Sequence, residues 1–284
     1  MTIAIIGTGN MGGAIVHGLI KSFYCLPENI ICTAKTDTTL KKLQDSFPKI
    51  QATNNNTNAI KNADVIILAV KPWLIGDIIE EIRPTLNLNK QIIVSLAAGI
   101  TLQELSNLIF PENGSINKEQ LFATEEQTNK ETNTFAKPAI FRVVPNTAVE
   151  ILEGVTFISQ QNATEEQTNI INEMFTALGY AVVVNEKLIP AGTALSSCGI
   201  AFAMRYIRAA MEGGVELGFR PDEAARIVEH TVKGAASLLL QNNRHPEVEI
   251  DKVTTAGGIT IKGLNAMEES GFSTAVIKGL KASK

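Results

Sequence analysis

Three glycines near the N-terminus carry the first chemistry that can be read. Gly7, Gly9 and Gly12 form G-x-G-x-x-G directly after the apolar run Ile3–Ile6, and Ala14 to Leu19 continue with helical periodicity. Strand, glycine turn and helix in that order are the setting in which this motif binds a dinucleotide. Gly7 permits the tight turn, Gly9 lets a pyrophosphate approach the backbone, and Gly12 lets helix and strand pack closely. Backbone N–H groups at the helix start, at Asn10 and Met11, then face the phosphate charge. A glycine-rich turn can also be a plain connection; the flanking strand and helix favour the dinucleotide.

The ribose end of such a site is read separately. NAD-specific folds carry an acid about 20 residues past the glycines. Here the second strand ends in Cys32-Thr33-Ala34-Lys35-Thr36, with no acid before Asp37. Thr33, Lys35 and Thr36 suit a 2′-phosphate, so NADPH is the expected cofactor, with NADH possible; a solvated lysine is the bland reading of Lys35. Ala69-Val70-Lys71-Pro72 close the fourth strand, where such folds bind ligands. Trp73 is expected to pack against or cap the sheet edge. His17, His230, His245 and the three cysteines have no ligand spacing, so no metal site is expected. Arg205 and Arg208 read as helix-face charges.

The elements that must position these groups follow from periodicity. Val65–Val70 and Gln91–Ser95 are fully apolar or nearly so, as buried parallel strands are. Further strands are expected at 29–33, 50–52, 140–144, 155–158 and 181–184, with helices between the early ones. This predicts βαβ units: an α/β Rossmann domain, doubly wound, its mostly parallel sheet carrying antiparallel strands at the late edge. After Asn185 the strands stop. Leu188–Leu217 is helical and rich in Ala and Gly, Gly218 allows a stop, and Pro221-Asp222-Glu223 has the form of a new helix start. The expected division is therefore a dinucleotide-binding domain at 1–185 and an all-α dimerisation and substrate domain at 186–284. Between Pro111 and Lys137 the chain becomes polar and reads as a surface excursion. Ala123–Asn129 recurs identically as Ala163–Asn169, the second copy starting a helix with Thr164 as cap.

Composition narrows the class. The 284 residues are 45% hydrophobic and 19% charged, with net charge −4. That describes a globular chain of about two domains with no bulk basic surface for nucleic acid or acidic membrane. No signal-peptide pattern is present, no uninterrupted apolar run nears ~18 residues, and no C-x-x-C pair occurs; the cytoplasm is the expected location.

Read together, the motifs resemble the pyrroline-5-carboxylate reductase family over nearly the whole chain. The matching stretches are Ile5–Ile15, Asp64–Pro72, Ser95–Ile100, Pro145-Asn146-Thr147, Thr193–Phe202 and Thr254–Leu264. The resemblance implies a Rossmann domain followed by a helical domain that interleaves in a homodimer or a ring of dimers. It implies hydride transfer from NAD(P)H to the C=N carbon of a cyclic imino acid, giving proline. It makes Thr260 the catalytic hydroxyl nearest the imine nitrogen, with Thr255, Gly257 and Gly258 holding the carboxylate and Ser196 among the substrate groups. Asn56, Ala98 and Asn146 join the cofactor groups by the same resemblance; Asn54 and Asn55 leave the register of Asn56 open by a residue. A glycine-opened helix start suits a carboxylate without arginine. Departures stand at Ser197, Cys198, Ile200, Ala256 and Ile259, where the family carries other residues. Two rivals remain at this point. One is a β-hydroxyacid-type dehydrogenase, which needs a general-base lysine such as Lys187. The other is a catalytically weak paralogue that senses NADP or proline.

Overall fold

The computed structural model describes residues 1–111 and 138–284. The expected polar excursion and the first copy of the repeated segment lie outside the described residues, apart from Pro111. Two compact units result, Met1–Ser196 and Ser197–Lys284.

The first unit is an eight-stranded sheet in the order β3-β2-β1-β4-β5-β6-β7-β8. The strands are β1 (Ile3–Ile6), β2 (Ile30–Thr33), β3 (Gln51–Thr53), β4 (Val65–Leu68), β5 (Ile92–Ser95), β6 (Ile140–Pro145), β7 (Gly154–Gln161) and β8 (Gly179–Val183). Pairing is parallel from β3 to β6. β7 runs antiparallel to β6 and β8 parallel to β7, so the late edge is reversed as expected. Strand side chains alternate between two faces, and both faces are covered. Ile3, Ile5, Ile67 and Phe141 pack on one side with Ile15 and Leu19 of α1 (Asn10–Lys21). Ala4, Ile6, Ile66 and Leu68 pack on the other with Ile75 and Ile79. Two-sided burial is why β1 and β4 read as unbroken apolar runs.

The other helices of this unit are α2 (Asp37–Ser46), α3 (Asn56–Ile60), α4 (Ile75–Ile82), α5 (Leu102–Ile109), α6 (Glu165–Thr176) and α7 (Ile189–Gly192). Thr164 caps α6 through a reciprocal bond with Gln167, which gives the second copy of the repeated segment its role. The unit ends after Ser196, later than the boundary expected after residue 185. The intervening segment packs on the sheet: Ile189 is buried, and Gly192 lies so close to Phe157 that a Cβ would sit 2.7 Å from its ring.

From Thr193 to Cys198 the helix widens to π-form and then continues as α8 (Gly199–Glu216). Within Glu186–Glu216 an 18-residue window reaches a mean hydropathy of 1.2, so this helix is long and apolar enough by composition to cross a membrane. The expectation concerned an uninterrupted apolar run, and Thr193, Ser196, Ser197 and Arg205 interrupt this stretch. Leu188, Ile189, Leu195, Ile200, Phe202 and the alanines raise the mean, spaced among small and polar residues. Ile189, Ala194 and Ser196 within it are buried against protein.

The second unit is helical throughout: α8, then α9 (Pro221–Asn242), α10 (Pro246–Val253), α11 (Ile259–Glu269) and α12 (Phe272–Ala282). Gly218 takes φ +105° after α8, and Pro221 opens α9. Ala224 is its one buried residue, while Leu217, Leu240 and Ile277 stand exposed. Helices this apolar with no core among themselves need a covering surface.

Candidate active site

The order of β3 to β6 reverses between β1 and β4, and ligands bind at such a switch point, beyond the carboxyl ends of the strands. The loops after β1 and β4 meet there. Gly7 adopts φ +92°, and a Cβ on it would lie 2.6 Å from Val70 Cγ1. A Cβ on Gly12 would lie 2.3 Å from the Gly7 carbonyl oxygen. These two glycines are therefore demanded by the protein's own packing. Gly9 is different: a Cβ there meets nothing within 4 Å. It is the N-cap of α1, with no side-chain cap and no acid in the first turn. An open cradle over an uncapped helix start fits the pyrophosphate of a dinucleotide. Asn10 is exposed and Met11 half-buried on that first turn.

The ribose end is built differently from the sequence expectation. Thr33 is buried; its carbonyl accepts from the Gly7 and Thr8 backbone N–H groups, and its Oγ1 accepts from Gly7 N at 3.3 Å. The Thr8 hydroxyl donates to the same carbonyl at 3.0 Å. Thr33 thus shapes the glycine turn rather than presenting a hydroxyl to a phosphate, because it ends β2 beside β1 and its side chain turns inward. Lys35 is exposed, and Thr36 pairs its hydroxyl with that of Thr39 at 2.9 Å.

Asn55 and Asn56 take different roles at the start of α3. Asn55 is the N-cap of α3, accepting from Asn58 N at 2.8 Å. Asn56 Nδ2 donates to Glu81 Oε2 of α4 at 2.9 Å. After β4, Ala69 and Val70 are half-buried and Lys71 is exposed, and Pro72 opens a 3-10 turn through Leu74. Trp73 does not pack on the sheet edge as expected; it is 75% exposed, because buried Ile75 takes the inward position. Ala98 lies exposed after β5.

Asn146 and Ser196 are both buried with hydroxyl or amide oxygen engaged. Asn146 Oδ1 accepts from Ala148 N and Val155 N, closing the turn between β6 and β7. The Ser196 hydroxyl donates to Gly192 O at 3.1 Å within the helix. Their polar atoms brace backbone first.

An unforeseen group is Arg142 on β6, whose Nη1 pairs with Glu186 Oε1 at 3.0 Å. The same oxygen accepts from Leu102 N at 2.7 Å. Glu104 forms a capping box with Thr101; the Thr101 backbone N–H and hydroxyl hold its carboxyl below the usual carboxylate range, helped by Arg142. A lone arginine in an apolar strand was the available signal, but its partner lies far along the chain.

In the second unit, Thr255, Gly257, Gly258 and Thr260 fall in one loop and the helix start that follows it. Gly257 takes φ +74°. Gly258 N donates to Thr255 O at 2.9 Å, and a Cβ on Gly258 would lie 2.7 Å from Thr255 Oγ1. Gly258 is the N-cap of α11, again without a side-chain cap or an acid in the first turn. Thr255 and Thr260 are exposed, and Ile259 projects outward at 87% exposure. Lys187, the general base a β-hydroxyacid dehydrogenase would need, sits in a 3-10 turn capped by Asn185.

A family model described as pyrroline-5-carboxylate reductase dimerisation matches residues 186–284, and one described as NADP oxidoreductase coenzyme F420-dependent matches residues 2–99. Pyrroline-5-carboxylate reductase 2 of Dictyostelium discoideum is 32% identical over 98% of this chain and 89% of its own length. The chain belongs to the pyrroline-5-carboxylate reductase family. Pyrroline-5-carboxylate reductase 1 of the same organism is 34% identical over 99% of this chain, which spans 48% of that longer protein. The solved pyrroline-5-carboxylate reductase of Coxiella burnetii is 27% identical, covering 99% of this chain and 95% of its own, with a TM-score of 0.84. These reductases do not favour either rival reading. The dimerisation model supports self-association, and the exposed apolar faces of α8 to α12 agree with it.

Proposed function

We propose that this chain reduces 1-pyrroline-5-carboxylate to L-proline using NADPH. The observation that carries the reading is the loop opening α11. It combines an uncapped helix start, two glycines and two exposed threonines, in a chain of the reductase family. Bound at the glycine turn, NADPH supplies the hydride that the C=N carbon accepts.

The chain's own residues then have separable tasks. Gly9, Asn10, Met11 and Gly12 offer backbone N–H groups to the pyrophosphate, and Gly7 keeps the turn tight. Lys35 attracts the 2′-phosphate, while Thr33 supports the turn beneath it. Asn56, Ala69, Val70, Lys71, Pro72, Ala98 and Asn146 line or brace the remainder of the cofactor site. Thr255, Gly257 and Gly258 hold the substrate carboxylate by backbone and hydroxyl donors. The Thr260 hydroxyl hydrogen-bonds the ring nitrogen and orients the C=N bond. Ser196 supports the substrate groups through the π-form stretch. Residues 254–261 contain no titratable side chain. The iminium proton therefore arrives with the substrate, and rate comes from positioning and exclusion of water.

The working form is a homodimer or a ring of dimers in the cytoplasm, taking no nucleic acid and no membrane as partner. Purified protein given pyrroline-5-carboxylate and NADPH, or NADH, tests the reading through loss of nicotinamide absorbance. Substrate-dependent turnover, faster with NADPH, is expected. Folded protein that binds NADPH yet shows no turnover would overturn it.

A further inference from the structure

Trp73 is the only tryptophan of the chain and stands 75% exposed. A large aromatic side chain left in water forgoes one of the greater burial gains a residue offers. The surrounding backbone is nevertheless fixed. Pro72 sets the turn, Leu74 N donates to Lys71 O at 2.9 Å, and Ile75 is fully buried immediately afterwards. A rigid turn thus holds the indole outward instead of letting it fold onto the sheet. No ring contact to Trp73 is found among the described residues.

Its place in the fold narrows what it faces. The turn follows β4 directly, on one side of the switch point. Val70, three positions earlier, packs against Gly7 of the glycine turn. We infer that Trp73 is a stacking platform for the adenine ring of the dinucleotide and sets affinity for that half of the cofactor. The inference rests on the NADPH reading above and deepens it. A flat aromatic base is the ligand chemistry an exposed indole on a rigid turn takes, and base–aromatic stacking is large enough to set affinity. Lys71 beside it adds positive charge for the anionic part of the same molecule.

The single tryptophan makes the test direct. Adenosine 2′,5′-bisphosphate carries the adenine half alone and has no reduced nicotinamide to accept excitation from indole. Acrylamide quenching of the intact oligomer is measured with and without it. The expected result is a readily quenched Trp73 that becomes protected when the bisphosphate binds, while nicotinamide mononucleotide gives no protection. Titration calorimetry is expected to show roughly tenfold or greater loss of NADPH affinity in Trp73→Ala, with most of it restored in Trp73→Phe. Both variants are compared at equal thermal midpoints, and Trp73→Phe guards against a folding defect in the alanine variant.

If wild type binds NADPH by calorimetry but Trp73 stays quenchable and Trp73→Ala binds equally well, the stacking inference fails and the NADPH reading stands. Protection already present without ligand would mean that a second copy covers the indole, which also overturns it. If wild type binds no dinucleotide, the cofactor reading itself fails.

Discussion

Replacing Glu186 by alanine is expected to destabilise the first unit by about 3 kcal/mol. The size follows from what the carboxylate does. Its Oε1 accepts both the Arg142 guanidinium at 3.0 Å and Leu102 N at 2.7 Å. The Arg142 side chain is only 10% exposed and its Nε already has no partner, so loss of Glu186 removes the carboxylate paired with a buried charge and leaves only the Glu104 carboxylate near it among the described residues. Breaking one side of a buried pair costs about 3–5 kcal/mol. Glu186 is itself 30% exposed, so water partly replaces it and the lower end of that range applies. Arg142→Met combined with Glu186→Ala is therefore expected to be more stable than Glu186→Ala alone, since the stranded charge is gone. Urea unfolding followed by circular dichroism, at one protein concentration to hold any association constant, measures both. A loss below about 0.5 kcal/mol in Glu186→Ala, within the range of ordinary surface substitutions, would refute this reasoning. A double variant less stable than the single would refute it too.

Other expectations concern the site. Gly9→Ala should fold with an unchanged thermal midpoint yet lose most NADPH affinity, because its Cβ meets no protein atom within 4 Å but enters the cradle. Gly12→Ala should lose stability as well, its Cβ lying 2.3 Å from the Gly7 oxygen; equal behaviour of the two variants would contradict the assignment. Thr260→Ala should lower turnover strongly, about 10²-fold if its hydrogen bond forms chiefly in the transition state, with NADPH affinity near wild type in calorimetry. Unchanged turnover removes Thr260 from the chemistry. Burial pushes the Cys32 thiol from its ordinary 9.0 up to about 12. Its contribution to stability is therefore complete below pH 9.0 and is lost as pH rises towards about 12, since only the unfolded chain gains by ionising in that window. Urea midpoints measured from pH 8 to 11 should fall more steeply in wild type than in Cys32→Ala, and parallel curves would exclude Cys32 as the cause.

Much of this protein is legible in its sequence because the governing interactions are local. The strand, glycine turn and helix from Ile3 to Leu19 are one contiguous stretch, and two-sided burial wrote β1 and β4 as apolar runs. The cap at Thr164, the proline start of α9 at Pro221 and the glycine-opened start of α11 use residues within a few positions of one another, so type and spacing were enough. The tertiary structure decided what depends on strand order. Thr33 turns its hydroxyl to Gly7, 26 positions away, only because β2 lies beside β1. Asn146 spends its amide oxygen on Val155 because β7 returns antiparallel to β6. Arg142 meets Glu186 across 44 positions, and Trp73 faces solvent because Ile75 takes the core position. Hydrogen bonds and burial are short-ranged in space but not along the chain. A sequence therefore names the groups capable of chemistry, and the packed sheet assigns which of them face a ligand and which hold the backbone.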